Sequence, residues 1–259
     1  LSPAHAIEIS GVLKQGGLLL GKAEPGAKVW LGEQELLVAP DGHFIFGFPR
    51  EAGGEAVLRF TNGDGVIEER RLKIETQDYK IERVDGLPPR TVTIPEEEKK
   101  RRAKERSLVK DARAAQSDAL FWARGFELPV KGARISGVYG SQRILNGKPS
   151  WPHYGLDMAA PIGTAVKAPA SGVVRLAQGD FLLEGGIIII DHGYGVNSTL
   201  MHLNTVDVKV GQEVRQGDVV ATLGQSGRAT GPHLDWRINW NDVRIDPNLA
   251  LEIKPFEAE

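Results

Sequence analysis

Two short spacings could do chemistry in this 259-residue chain. In "HYGLD" His153 and Asp157 stand four apart, and in "GPHLDW" His233 and Asp235 stand two apart. Gly155 and the nearby Pro161 argue for extended backbone around the first pair, and Pro232 favours an extended start at the second. On a strand, residues two and four apart share a face, so both members of each pair can reach one ion. Imidazole nitrogen and carboxylate oxygen are zinc donors, and a catalytic zinc takes three protein ligands plus an open position. The inventory suffices. A His and an Asp so spaced more often form a surface hydrogen-bonded couple, so spacing alone leaves both readings open. His202, in "STLMHLN", stands alone, and His5 and His43 lie in a different part of the chain and read as surface or sheet residues.

The elements that must position these residues are mostly strands. Over residues 1–78, short apolar runs alternate with the turn signals "KQGG", "EPGA", "PDGH" and "TNGDG", the pattern of a small β-sandwich. In "HFIFGF" the rings of Phe44, Phe46 and Phe48 share one face, as in a half-buried strand, and packing is their expected role. Residues 79–125 read as a linker with a helix over about 95–120: Thr93 and Glu96 make a capping box, Pro95 suits the first turn, and Glu96–Glu98 precede Lys99–Arg102 in the order the helix dipole favours. The basic run is expected to be a solvated face rather than a polymer contact, and Leu120, Phe121 and Trp122 are expected to dock the helix end. From 126 to 259 glycine- and proline-bounded strands return without a second long helical period, which predicts a rolled antiparallel β domain. The fold class is therefore mainly β, with a sandwich, a helical linker and a rolled sheet.

Composition narrows the function. With 32 basic against 34 acidic residues, no global field recommends nucleic acid or an anionic membrane. Cysteine is absent, which excludes thiolate metal sites and disulfides and is compatible with an oxidising compartment. No apolar run approaches the roughly 20 residues of a membrane span.

The segments "PHYGLDMAAPIGTAVKAPASGVV", "IIIDHGYG", "MHLN" and "VKVGQEVRQGDVVATLGQSGRATGPHLDW" together resemble the lysostaphin/LytM-type zinc metallopeptidases, which cleave peptide bonds in bacterial peptidoglycan. The resemblance covers roughly residues 126–247 and implies a barrel-sandwich-like catalytic fold. It implies that His153 and Asp157 are metal ligands and that His202 and His233 are catalytic. The family's last motif is H-x-H, whose second histidine binds zinc. Here Asp235 stands in that position as the third ligand. Two carboxylates and one imidazole would cancel the charge of one Zn2+, so the resemblance predicts an alkaline shift in optimum and tolerance of manganese. Arg143, in "YGSQR", matches a basic position that steers substrate carboxylates, or is an exposed structural arginine. His192 matches a recurrent turn and reads as structural.

A likeness of "APASGVV" and "VKVGQEVRQGDVVATLG" to biotinyl and lipoyl carrier hairpins fails, because the segment between Lys167 and Lys209 offers no lysine to modify. The implied function is a zinc-dependent endopeptidase acting on peptide cross-links or stem peptides of peptidoglycan. The alternative is a non-catalytic scaffold or activator of another cell-wall hydrolase, with such a hydrolase or a divisome component as partner. The N-terminal sandwich resembles a bacterial immunoglobulin-like module. A peptidoglycan substrate implies a periplasmic or otherwise exported protein, in keeping with a start at Leu1 rather than methionine if a signal peptide has been removed.

Overall fold

The computed structural model describes residues 7–61, 64–84, 96–145 and 147–256. Thr93 of the expected capping pair and the first histidine, His5, lie outside the described residues. Seven strands occupy the N-terminal part: β1 (Glu8–Gly11), β2 (Leu18–Lys22), β3 (Val29–Leu31), β4 (Gln34–Leu36), β5 (His43–Gly47), β6 (Gly54–Thr61) and β7 (Ile67–Ile74). They form one sheet in the order β1-β2-β5 and another in the order β4-β3-β6-β7, with Leu19, Phe44, Leu58 and Leu72 buried in the core.

The expected half-buried β5 is instead covered on both sides. Phe44 and Phe46 stack at 5.9 Å on one face, as the alternation predicts. The other face, carrying Ile45 and Gly47, meets the C-terminal part of the chain: a Cβ at Gly47 would stand 2.4 Å from Ile245 Cδ1. Asp246 N donates to Gly16 O at 2.8 Å. Ser10 Oγ donates to Lys254 O at 2.7 Å and accepts from Lys254 N at 3.0 Å. One apolar core runs through both parts.

Next come β8 (Ile81–Val84) and α1 (Glu96–Ala114). The helix expected to reach about 120 closes at Ala114. Beyond it Ser117 O accepts from Tyr194 N at 3.1 Å, which draws the backbone off the helical path. A 3-10 turn over Phe121–Arg124 then docks Trp122, fully buried, edge-on against Tyr194 at 5.8 Å.

The remaining strands are β9 (Arg134–Gly137), β10 (Gln142–Leu145), β11 (Lys148–Pro149), β12 (Leu156–Ala159), β13 (Ala165–Lys167), β14 (Gly172–Phe181), β15 (Gly185–Gly193), β16 (Val196–Val206), β17 (Glu213–Val214), β18 (Val219–Leu223), β19 (Leu234–Trp240) and β20 (Val243–Ile245), followed by a short helix, α2 (Pro247–Ala250). Ten of them form the antiparallel sheet β17-β14-β15-β16-β19-β12-β9, with β13 and β18 folded over through β16 and β20 beside β19. A small fourth sheet, β11-β10-β8, pairs Ile81–Val84 in parallel with Gln142–Leu145.

The run "GGIIIIDHG" in β15 is buried at every position, because the rolled sheet covers one face and α1 the other. Ile188 and Ile190 belong to the main core. Ile187 and Ile189 pack with Met201 under Ala112 and Val109 of α1. A strand covered on both faces reads as continuous apolar sequence.

His192, also in β15, holds a structural place. Its Nδ1–H donates to Ser171 O at 2.7 Å, and Nε2 accepts from Ser198 Oγ at 2.9 Å. Ser198 Oγ accepts in turn from Trp236 Nε1 at 3.2 Å, so a charged ring would leave the hydroxyl proton without an acceptor. Burial pushes the imidazole from 6.5 down to about 4. Below 6.5 the unfolded chain binds the proton that the folded chain refuses, so this stability is complete above pH 6.5 and is lost as pH falls toward 4. We expect roughly 3 kcal/mol over that window, read as a steeper fall in melting temperature for the metal-free parent than for His192→Gln. Equal slopes would remove His192 from the acid sensitivity.

Candidate metal centre and histidine pair

The register of the large sheet assembles the site. Asp157 in β12 stands directly opposite Asp235 in β19, and Gly137 of β9 faces Asp157 from the other side. His153, in the extended segment before β12, is held by its own backbone: its N–H donates to Ser141 O at 2.8 Å and its carbonyl accepts from Gly140 N at 2.7 Å. One donor atom from each of His153, Asp157 and Asp235 lies within 4.8 Å of the others. The carboxylate of Asp235 is almost fully buried, at 3% exposure.

Glycines leave space for these carboxylates. A Cβ at Gly137 would stand 2.3 Å from Asp157 Oδ2, and one at Gly155 would stand 2.0 Å from Asp235 Oδ1. Gly155→Ala is therefore expected to cost about 1–3 kcal/mol and to displace Asp235. Thermal unfolding and zinc titration check it, with Gly179→Ala as control because a Cβ there meets nothing within 4 Å. An unchanged cluster affinity in Gly155→Ala would mean that the carboxylate has another place to go.

His153 Nε2 and Asp157 Oδ1 lie 3.1 Å apart, yet out of line for a hydrogen bond, and neither buried atom has another partner. Two unsatisfied lone-pair donors converging at one point are costly unless a cation sits between them. Burial pulls His153 down, but the negative charge of Asp157 at 3.1 Å, together with the Asp235 carboxylate, outweighs it and raises its pKa. The donor set fits a divalent metal.

Asp235 has a further partner. Arg237, two residues on and therefore on the same strand face, donates from Nη2 to Oδ2 at 2.7 Å and from Nε to both oxygens at 3.1 Å. Burial alone would raise the Asp235 pKa, but the guanidinium reverses that and holds it low. The expectation that two carboxylates cancel the metal charge needs correction: Arg237 neutralises one of them, so the site keeps the net charge that one aspartate and two imidazoles would give it. The alkaline shift built on that cancellation loses its basis. The signal was present in "DWR", where Asp235 and Arg237 share parity on the strand.

His202 and His233 lie together beside the cluster, ring centroids 4.7 Å apart. Each donates Nδ1–H to a carbonyl, Ser226 O at 2.9 Å and Gly231 O at 2.8 Å. With Nδ1 so committed, the neutral rings carry their lone pairs on Nε2. Burial lowers the pKa of His202, favouring this basic form. His202 also sits at φ 64°, in the left-handed region that few bulky residues adopt. Arg143 stands in β10 of the small fourth sheet, and its side chain lies outside the described residues.

A rolled antiparallel sheet bearing a partly buried His–Asp–Asp donor cluster beside a paired set of imidazoles is an arrangement whose donors fit a divalent metal. Residues 151–247 match the model of Peptidase family M23, and the chain carries an M23 domain of the lysostaphin/LytM type. The DD-carboxypeptidase/endopeptidase Mpg of Neisseria meningitidis is 36% identical over 134 residues, covering 49% of this chain and 30% of that protein. The peptidoglycan DD-endopeptidase ShyC of Vibrio cholerae is 32% identical over 124 residues, covering 47% and 28%. The chain thus spans less than a third of the length of these relatives. A crystal structure from Pseudomonas aeruginosa assigned to peptidase M23 aligns with a TM-score of 0.67 and 29% identity, covering 95% of this chain and 96% of that one.

Proposed function

We propose that the chain is a zinc-dependent endopeptidase that hydrolyses peptide bonds of peptidoglycan outside the cytoplasm. The observation that carries this reading is the pair of buried donor atoms, His153 Nε2 and Asp157 Oδ1, 3.1 Å apart without a hydrogen bond to each other or to any other group, converging beside Asp235. Relatives named for DD-endopeptidase activity support the substrate class. His153, Asp157 and Asp235 hold the metal. When bound, zinc supplies a Lewis acid that acidifies water and polarises a carbonyl. His202 and His233 accept and return protons through Nε2, one during attack and the other at the leaving amine. Arg143 steers substrate carboxylates. The seven-stranded N-terminal unit, residues 1–78, is an immunoglobulin-like module joined by residues 79–125 to the catalytic part, 126–259, a division supported by the two sheets that precede β8.

A second reading, a non-catalytic scaffold or activator of another cell-wall hydrolase, draws on the Arg237 clamp, which already occupies the third donor. Digestion of purified peptidoglycan by the zinc-loaded protein separates them. New muropeptides that vanish on chelation support the peptidase. Tight zinc binding without any released product supports the scaffold.

A further inference from the structure

Strand register places Asp235, Arg237, Met201, Thr199, Ile187 and Ile189 on one face of the large sheet. Helix α1 lies over the distal part of that face. Arg102 anchors it to Glu184 through paired bonds at 2.7 and 2.8 Å. Between the flank of α1 and the strands runs a cavity of about 610 Å³. Arg237, the residue that holds Asp235, forms one wall of it and is its link to the metal cluster, whose own residues lie outside the lining.

Six cationic side chains line it: Arg102, Arg106, Lys110 and Arg113 at helical spacing on α1, and Arg237 and Arg244 from the sheet. Only two carboxylates, Glu184 and Asp242, face them, and Glu184 is taken by Arg102. Among the described residues, no carboxylate lies within ion-pair distance of Arg106, Lys110, Arg113 or Arg244. Arg113 donates to Thr199 Oγ1 at 3.1 Å, while its buried Nε has no partner. Burial, reinforced by Arg244 and Arg237, pushes its pKa down to about 9. Gathering cations without counter-charge costs free energy that an anionic occupant would recover.

The walls also identify the occupant. Val109, Ile187 and Met201 contribute apolar surface beside the guanidinium forks, which match carboxylates. The volume suits several peptide residues rather than one small ion. We propose that this cavity is an acidic-peptide subsite, which takes the free carboxylates of a short peptide extending from the metal cluster beneath α1. The inference rests on the peptidase reading for the identity of that peptide.

The test uses the full chain stripped of metal, so that binding is independent of hydrolysis. In an NMR titration at low salt, the tripeptide Ala-Glu-Ala with free carboxylates is expected to bind at least tenfold more tightly than its fully amidated form. Arg113→Gln, and the exposed double variant Arg106→Ser/Lys110→Ser, should each weaken binding about tenfold or more, whereas Lys104→Ser on α1 outside this lining should not change it. The double variant carries the test should Arg113→Gln misfold. Equal binding of the amide, no loss in the double variant, or inorganic phosphate binding as tightly as the peptide would overturn the proposal. Retained binding without hydrolysis by the loaded protein would instead defeat the peptidase reading alone.

Discussion

Zinc affinity falls about a hundredfold or more in Asp235→Asn while the chain stays folded, because asparagine keeps the volume and one acceptor for Arg237 but lacks the charge a metal ligand supplies. Asp235→Ala is the harsher change. It strands the half-buried Arg237 guanidinium without its partner, so a loss of metal there would be confounded with a loss of stability. Asp235→His restores the imidazole of the family pattern, yet places it beside a cation whose partner has gone. The single variant should therefore bind zinc more weakly than Asp235→His/Arg237→Leu, with coupling of roughly 1 kcal/mol or more between the two positions. Chelator competition and thermal unfolding on the parent, Asp235→Asn, Asp235→His, Arg237→Leu and the double variant measure both quantities. Zinc affinity in Asp235→Asn within twofold of the parent, or a single histidine variant as good as the double, would show that Asp235 is not a ligand or that Arg237 is not coupled to it.

Removing either imidazole beside the cluster is expected to separate activity from metal content. His202→Asn suits the backbone, since asparagine tolerates the left-handed conformation found at φ 64°. His233→Gln retains a polar side chain near Gly231 O. Each should lower kcat/KM by about 10²–10⁴, the usual contribution of a positioned proton-transfer group, and leave zinc stoichiometry unchanged. Their orientation explains the size of the effect, because the carbonyls of Ser226 and Gly231 aim each Nε2 lone pair away from Nδ1. Release of muropeptides at the parental rate by either variant would exclude that histidine from the chemistry. Loss of zinc together with activity would move it into the ligand set.

The donor cluster was legible because it depends on strand parity. His153 with Asp157, and His233 with Asp235, share faces in any extended backbone, and the sheet needed only to align β12 with β19. Arg237 was just as visible by parity, but its effect on the charge of the site depends on side-chain direction, which spacing does not report. Of the basic run Lys99–Arg102, expected to be a solvated face, only Arg102 turns into the cavity, and the spacing that continues it to Arg106, Lys110 and Arg113 is local to α1. Its companions Arg237 and Arg244 come from strands more than a hundred residues away, and no local pattern joins them. The same limit applies to "HFIFGF", whose alternation describes one buried face and is silent about Ile245 closing the other.

That closure, with the Ser10–Lys254 bonds, gives the chain an unusual order of events during synthesis. The first seven strands leave the ribosome with the Ile45 and Gly47 face bare. Its cover at Ile245 follows roughly 200 residues later, a delay of about 10–40 s at ordinary elongation rates. Contacts so distant in sequence are slow to form because the loop they close must first be ordered. A ribosome-bound chain stopped before β20 should consequently expose an apolar strip that the finished protein hides, and should engage chaperones that the released chain no longer meets.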